Sequence, residues 1–151
     1  MTQEEKELLL KDLCARLPYG VISNRPSGNA KITEIKFDEE YNSFVCYSSN
    51  GFGGDISFEK PYLRPMSSMT EEEKIKLYQI TGFYYFSNNE LLKDEWRQFS
   101  NALSENKLFL PYPIWEDDLQ KTFDWLNANH FDYRGLIEKG LALEAPKDMY
   151  K

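Results

Sequence analysis

The chain has 151 residues, of which 41% are hydrophobic and 28% are charged. This length suits one domain, and the apolar fraction supports a packed core, which argues against a disordered chain. Asp and Glu outnumber Lys and Arg by 25 to 18, for a formal charge of −7, whereas nonspecific nucleic-acid binding needs the opposite balance. We therefore predict a single domain over residues 1–151 that does not bind nucleic acid directly.

The sequence also bears on the compartment in which the protein works. No apolar run approaches the roughly 20 residues that a membrane span requires, and the acidic segment Met1–Glu7 is unlike a signal peptide. Cys14 and Cys46 are then expected to stay reduced and to behave as small buried apolar groups. One His cannot complete the usual sets of zinc ligands. We expect a cytoplasmic protein with no membrane contact, no metal and no cofactor.

The N-terminal segment predicts a helix over Gln3–Arg16. Thr2 and Glu5 have the spacing of a capping box, in which each side chain bonds to the other residue's backbone N–H. Four residues at helical spacing predict the buried stripe of this helix: Leu10, Leu13, Cys14 and Leu17. Pro18 ends the helix because it forces the preceding residue towards extended geometry.

Between Tyr19 and Leu63 the hydrophobic period changes to two residues, as is typical of strands. Three short runs show this pattern or a β-favouring composition: Thr33–Phe37, Phe44–Tyr47 and Ile56–Phe58. Turn-forming segments separate them, and one of these, Asn50–Gly54, predicts a hairpin loop with Phe52 at its tip. The pattern predicts an antiparallel meander of three or four strands, with a half-open SH3-like barrel as an alternative. Two prolines in Lys60–Pro65 predict the end of the sheet, because proline is excluded from central strands.

The second half of the chain predicts further helices. Capping boxes begin at Thr70, for a helix reaching about Ile80, and at Ser87, for a helix with an apolar stripe of Leu92, Trp96, Phe99 and Leu103. Asp117 is expected to cap a helix whose apolar face includes Leu119, Phe123, Leu126 and His130, and a last short helix runs from Asp132 to Gly140. A small sheet packed with about five helices makes the predicted class α+β.

Catalytic patterns are weak in this sequence. Glu34-Ile35-Lys36 is similar to the Glu-x-Lys half of a metal-dependent nuclease, in which carboxylates hold Mg²⁺. The second acid that such a site needs is missing from the preceding segment, and only Asp55 or Glu59 could supply it through space. Alternating charge on the exposed face of a strand would also account for Glu34 and Lys36. His130 is the only histidine, and we expect it to have a structural role.

Aromatic residues are the unusual feature of the composition, at 15% of the chain. We predict that six of them pack in the core: Phe37, Phe44, Phe58, Trp96, Phe99 and Phe123. Residues 83–86 are four consecutive aromatics that could form a short strand. In a strand two of their side chains point to each side of the sheet, so one pair faces away from any single core. The candidate interface residues are therefore Phe83, Tyr84, Tyr85, Phe86, Tyr112 and Trp115, with burial against neighbouring helices as the alternative.

Three segments carry a family resemblance: Leu8–Val21, Lys60–Glu73 and Thr122–Glu144. Together, over roughly half of the chain, they resemble a family of small uncharacterised proteins from gut bacteria and their phages or other mobile elements. The resemblance implies an intracellular accessory protein. It supplies no catalytic residues, since the family has no established activity.

These observations favour a noncatalytic binding module that acts on a protein partner or associates with itself. One alternative is an acidic protein that mimics nucleic acid and occupies a DNA-binding partner, for which the charge of −7 is the support. The other is a metal-dependent hydrolase that uses Glu34, Lys36 and either Asp55 or Glu59.

Overall fold

The computed structural model describes residues 1–82, 93–110 and 114–151. They contain four α-helices, which are α1 Gln3–Arg16, α2 Glu71–Ile80, α3 Lys93–Ser104 and α4 Glu116–Ala128. They also contain six strands, which are β1 Ile22–Asn24, β2 Ala30–Asp38, β3 Ser43–Ser48, β4 Gly53–Asp55, β5 Lys60–Leu63 and β6 Leu143–Glu144. The predicted α+β class is confirmed.

The described residues divide into two compact units. The sheet unit consists of Met1–Leu63 and Arg134–Lys151 and holds α1 with all six strands. The helical unit is Arg64–Tyr133 and holds α2, α3 and α4. The single domain over residues 1–151 stays a prediction.

The sheet is mixed and open, with the strand order β4-β3-β2-β1-β5-β6. Strands β1 to β4 are antiparallel neighbours in chain order, as the predicted meander requires. Strand β5 adds antiparallel to β1, and β6 adds parallel to β5. The meander is therefore extended beyond the predicted strands, and the SH3-like barrel is not confirmed.

Helix α1 has the predicted bounds and the predicted capping box between Thr2 and Glu5. The predicted stripe is confirmed at Leu13, while Leu10 and Leu17 are only partly buried and pack against the same core. It is wrong at Cys14, which is exposed, and the structure also buries Leu9, Asp12 and Arg16. The buried residues have helical spacing, but two of them, Asp12 and Arg16, are a charged pair. A prediction based on apolar residues alone does not include them. The face of α1 that packs against the sheet is therefore rotated about the helix axis relative to the predicted stripe.

Proline does not end the sheet at Lys60–Pro65, so that prediction is wrong. Strand β1 pairs with the first half of β5, at Lys60 and Pro61, and β6 pairs with the second half, at Tyr62 and Leu63. Pro61 therefore has a paired neighbour on one side only. The missing N–H is tolerated there as it is on an edge strand.

Two predicted core residues of the sheet unit are exposed. Phe58 is 63% exposed because Ile56–Phe58 forms a 3₁₀ turn, begun by the Asp55 side chain bonding to the Ser57 N–H, and not the predicted strand. Phe37 is 50% exposed near the β2–β3 turn, where its ring meets Phe44 edge-on. The predicted helix from Asp132 to Gly140 is also wrong, since this segment consists of turns.

The helical unit has an aromatic core. Tyr78 meets both Trp96 and Phe99 edge-on, with ring centroids 5.6 and 5.3 Å apart, and Trp125 stacks on Phe131. Helix α2 begins with the predicted capping box of Thr70. Trp115, not Asp117, occupies the N-cap position of α4 and makes no side-chain cap, while the predicted box at Ser87 lies outside the described residues.

Candidate functional site

The outer face of β2, β3 and β4 is the side of the sheet that points away from α1. On the inner face, Cys46 belongs to the core cluster that includes Leu9 and Leu13 of α1. Because side chains alternate along a strand, Val45 and Tyr47 point to the outer face. Strand β4 lies beside them, since Val45 is opposite Asp55 and Tyr47 is opposite Gly53.

An open groove of about 320 Å³ lies on this outer face. We call it the β4 groove, and it is lined by Asp38, Tyr41, Val45, Tyr47, Gly53, Gly54 and Asp55. Its lining therefore combines two carboxylates, two phenol rings and a valine, without a Lys or Arg. Tyr41, in the turn after β2, is 72% exposed. Such a lining suits a ligand that is apolar in part and positively charged in part.

Glycine at position 53 gives the groove its shape. A Cβ on Gly53 would lie 2.8 Å from Tyr47 Cε1, closer than real side chains approach, and 3.0 Å from Val45 Cγ1, which is tighter than most such contacts. The missing side chain therefore lets Tyr47 and Val45 lie against the backbone of β4. The loop that precedes it places Phe52 at an exposed tip, as the sequence predicts for a hairpin.

A buried ion pair positions the β3–β4 hairpin. Arg25 Nη2 lies 2.7 Å from Glu59 Oε1, and both side chains are almost fully excluded from water. The same guanidinium donates to the carbonyl of Cys46 at 2.8 Å and to the carbonyl of Phe52 at 2.9 Å. Arg25 thus ties the strand that carries Val45 and Tyr47 to the loop that leads into β4.

Both groove carboxylates are held by the backbone of neighbouring turns. Asp38 accepts from the Glu40 N–H at 2.9 Å and from the Tyr41 N–H at 3.2 Å. Burial raises the pKa of Asp55, but hydrogen bonds from Ser43 and Ser57 outweigh it and leave the pKa below its usual value. Asp55 is therefore ionised at neutral pH, which makes its negative charge a permanent part of the groove.

The two edges of the sheet differ in protection. At one edge, Pro146 and Lys147 follow β6 closely, and such residues discourage another strand from pairing. At the other edge, β4 has the sequence Gly53-Gly54-Asp55 and pairs only with β3 among the strands that the structure describes. No described strand lies on the other side of β4.

The structure does not assemble the candidate metal set. Glu34 and Lys36 form a surface ion pair at 2.9 Å, and Glu59 is buried against Arg25. Asp55 caps the turn that follows it through Oδ1. Within the described ranges, no group of three His, Cys, Asp or Glu side chains could hold a metal ion.

The predicted aromatic interface can be placed at one residue. Trp115 is 72% exposed at the start of α4, whereas Phe83, Tyr84, Tyr85, Phe86 and Tyr112 lie outside the described residues. The outer face of the hairpin was not predicted as a site. Its signal in the sequence is Phe44–Tyr47, an unbroken apolar and aromatic run that must place side chains on both faces of the strand.

Two polar clusters of the helical unit have structural roles. Lys74 of α2 donates to Ser100 and Ser104 of α3, each at 3.3 Å, and lies 2.9 Å from Glu71. These contacts join α2 to α3 through one side chain. His130 is buried, as its structural interpretation implies, and its carbonyl accepts from the Arg64 N–H at 2.8 Å.

Comparisons with known proteins return no match to a family model, a curated protein or a solved structure. The resemblance to proteins of gut bacteria and mobile elements thus stays a prediction. Among the helices of the described ranges, none has the length and apolar character needed to cross a membrane.

Proposed function

We propose that this protein is a noncatalytic cytoplasmic binding module that holds a protein partner at the β4 groove and the open edge of β4. The observation that carries this proposal is the position of Tyr41, Val45 and Tyr47 beside an unprotected strand edge. Exposed aromatics provide large contact area at low entropic cost, and an open edge provides backbone hydrogen bonds. Trp115 of the helical unit is also 72% exposed and is proposed as a separate contact point.

The state of the cysteines supports the proposed compartment. Cys14 and Cys46 are both free thiols, and Cys14 is exposed on α1. Free exposed thiols persist in reducing compartments, where disulfides are rare. A cytoplasmic partner is therefore proposed.

Selection from an unbiased library of displayed peptides tests the module without assuming the chemistry of the partner. We expect wild-type protein to enrich peptides that bind Tyr41→Ala at least about 10-fold more weakly, because Tyr41 is an exposed aromatic anchor. Tyr19→Ala is the matched control, since Tyr19 is an exposed tyrosine of the sheet unit outside the groove. Failure to enrich any peptide, or equal binding by Tyr41→Ala, would contradict the proposal.

A second candidate function is mimicry of nucleic acid by the helical unit. This unit has 12 Asp and Glu against 7 Lys and Arg, and exposed acids occupy the first turns of α2 and α4. Such carboxylates could occupy the phosphate sites of a DNA-binding protein.

Competition measurements separate the two functions. Under mimicry, the protein displaces DNA from a basic DNA-binding domain, with a steep loss as salt rises. Neutralising Glu71, Glu72, Glu116 and Asp117 with amides should abolish this displacement, while Tyr41→Ala should not change it. If the neutralised variant displaces DNA as well as wild type, mimicry through these residues is excluded.

A further inference from the structure

We propose that the partner segment is an extended peptide that carries Lys or Arg, adds as a strand to the free edge of β4, and places a cationic side chain in the β4 groove. This inference rests on the proposed function and specifies its ligand. In this proposal, hydrogen bonds to the β4 backbone provide most of the affinity, and the groove determines which side-chain charge is preferred.

The backbone of β4 is accessible to an incoming strand. Gly53 and Gly54 have no side chains that would hinder a neighbouring strand, and β4 is the end strand of the sheet order. A strand that pairs with this edge would lie about 4.8 Å from β4. Alternate side chains of such a strand point to the outer face, which is the face that contains the groove.

The groove lining selects the charge of those side chains. Asp38 and Asp55 are its two charged residues, and Tyr41 and Tyr47 are its aromatic rings. A Lys or Arg side chain is attracted both by carboxylates and by the face of a tyrosine ring. The Lys36 ammonium, which pairs with Glu34, already lies 5.7 Å from the centre of the Tyr47 ring, so the two carboxylates and the Tyr41 ring are the groups that an incoming cation would contact.

Charge also argues against a second copy of this chain as the occupant. Pairing of two β4 edges would bring each copy's Asp55 and acidic turn at Asp38–Glu40 towards the same groups of the other copy. Like charges placed together across an interface disfavour association. A basic segment reverses this effect and gains from the same carboxylates.

Synthetic peptides of about ten residues provide the probe. The first alternates valine with threonine and has two arginines on one face, and a matched peptide replaces both arginines with glutamine. A third keeps the arginines but has N-methyl groups on alternate backbone nitrogens, which block strand pairing. Binding of each is measured by fluorescence anisotropy at about 50 and about 300 mM salt.

We expect the arginine peptide to bind at least about 10-fold more tightly than either the glutamine or the N-methylated peptide. Asp38→Asn and Asp55→Asn, which keep an acceptor oxygen for the turns, should each weaken it about 3-fold to 10-fold and reduce its salt dependence. Glu138→Gln is the charge control, because Glu138 is exposed in the sheet unit away from the groove, and it should bind like wild type.

The outcomes distinguish failure of the basic strand ligand from failure of the binding module. Tighter binding of the glutamine peptide, or of a glutamate peptide, with sensitivity to Tyr41→Ala would overturn the basic ligand and leave the binding module standing. A dimer by sedimentation that Tyr41→Ala dissociates would do the same, in favour of a second copy. Tight arginine binding that is indifferent to N-methylation overturns strand addition. No Tyr41-dependent binding in this assay or in the displayed library overturns both proposals.

Discussion

The sheet unit and the helical unit are stabilised by different means. In the sheet unit, charged side chains are buried as pairs: Asp12, Arg16 and Glu59 are fully excluded from water and Arg25 is 7% exposed. In the helical unit, the largest buried groups are aromatic, and Tyr78 and Phe99 are at most 1% exposed. The comparison shows that one unit depends on keeping both members of each ion pair, whereas the other depends on the volume of its core.

The ion pairs of the sheet unit also join distant parts of its sequence. The Asp12 carboxylate accepts a hydrogen bond of 2.8 Å from Arg16 Nε, also in α1. It accepts a second, of 2.7 Å, from Nη1 of Arg134, which lies in the C-terminal segment. Tyr150 Oη donates to the Tyr62 carbonyl at 2.8 Å and accepts from the Ile22 N–H at 3.0 Å. Directional polar contacts therefore hold the C-terminal segment Arg134–Lys151 in the sheet unit.

Removing one member of a buried pair should produce the largest effect. Glu59→Leu leaves the Arg25 guanidinium buried without its carboxylate and should cost about 3 to 5 kcal/mol of unfolding free energy. Hydrogen exchange of the β1 to β5 amides measures this loss in the sheet unit.

The double variant Arg25→Met with Glu59→Leu is the control for that change. It removes both charges together and should recover most of the lost stability, because well-packed apolar residues can replace a buried pair. If Glu59→Leu costs less than about 1 kcal/mol, the pair does not hold the hairpin, and the comparison between the units fails.

A cavity in the helical unit should have the next largest effect. Leu126→Ala removes a fully buried side chain of α4 and should cost about 3 kcal/mol. All three tryptophans lie in this unit, at positions 96, 115 and 125, so the midpoint of urea unfolding followed by tryptophan emission reports it directly. Ala128→Gly at an exposed position of α4 is a milder control, and an equal loss from both variants would contradict a packed core around Leu126.

The helical unit has one ion pair that should make its stability depend on pH. Burial raises the pKa of Glu73, but hydrogen bonds from Arg64 and from the Thr70 N–H outweigh it and lower the pKa below its usual value. Because the folded state binds this proton less readily, the pair stabilises the unit above pH 4.5, and the gain is lost as pH falls below that value.

Glu73→Gln should therefore cost about 1 kcal/mol at neutral pH and progressively less in acid. Glu72→Gln, in the same helical turn but exposed, should leave the pH dependence unchanged. The midpoint of urea unfolding at a series of pH values measures both. A Glu73→Gln cost that stays constant down to pH 3 would show that the carboxylate charge is not responsible.

The smallest effect concerns the two thiols of the sheet unit. Burial raises the pKa of Cys46 to about 12, and its side chain is inaccessible, whereas Cys14 is exposed. We expect an alkylating reagent to modify one thiol per folded chain and both thiols in urea. Mass spectrometry of the labelled peptides identifies the site. Modification of Cys46 in the folded protein would mean that the inner face of β3 is open.

Local sequence signals predicted α1 and α2 well, the later helices less well and the sheet only in outline. The capping boxes at Thr2 and Thr70 involve neighbours in the chain, so α1 and α2 have the bounds that the sequence predicts. The prediction for the buried face of α1 omitted Asp12, whose partners include Arg134, a residue distant in sequence. Contacts of this kind carry no local pattern.

The candidate site was harder still to predict. The β4 groove requires the register that places Val45 beside Asp55 and Tyr47 beside Gly53, and register follows from pairing between strands. A glycine-rich hairpin was expected at Asn50–Gly54, but the role of Gly53 in accommodating Tyr47 depends on side-chain packing. Aromatic content pointed to an interface in general, not to this face.

Titration of the ¹⁵N-labelled protein with the arginine peptide tests whether β4 receives a basic strand. We expect the amide signals of Gly53, Gly54 and Asp55 and those around Tyr41 and Tyr47 to shift. We also expect the β4 amides to gain protection from hydrogen exchange, and Tyr41→Ala to remove both changes. Shifts confined to α2, α4 or Trp115, or none at saturating peptide, would contradict this expectation.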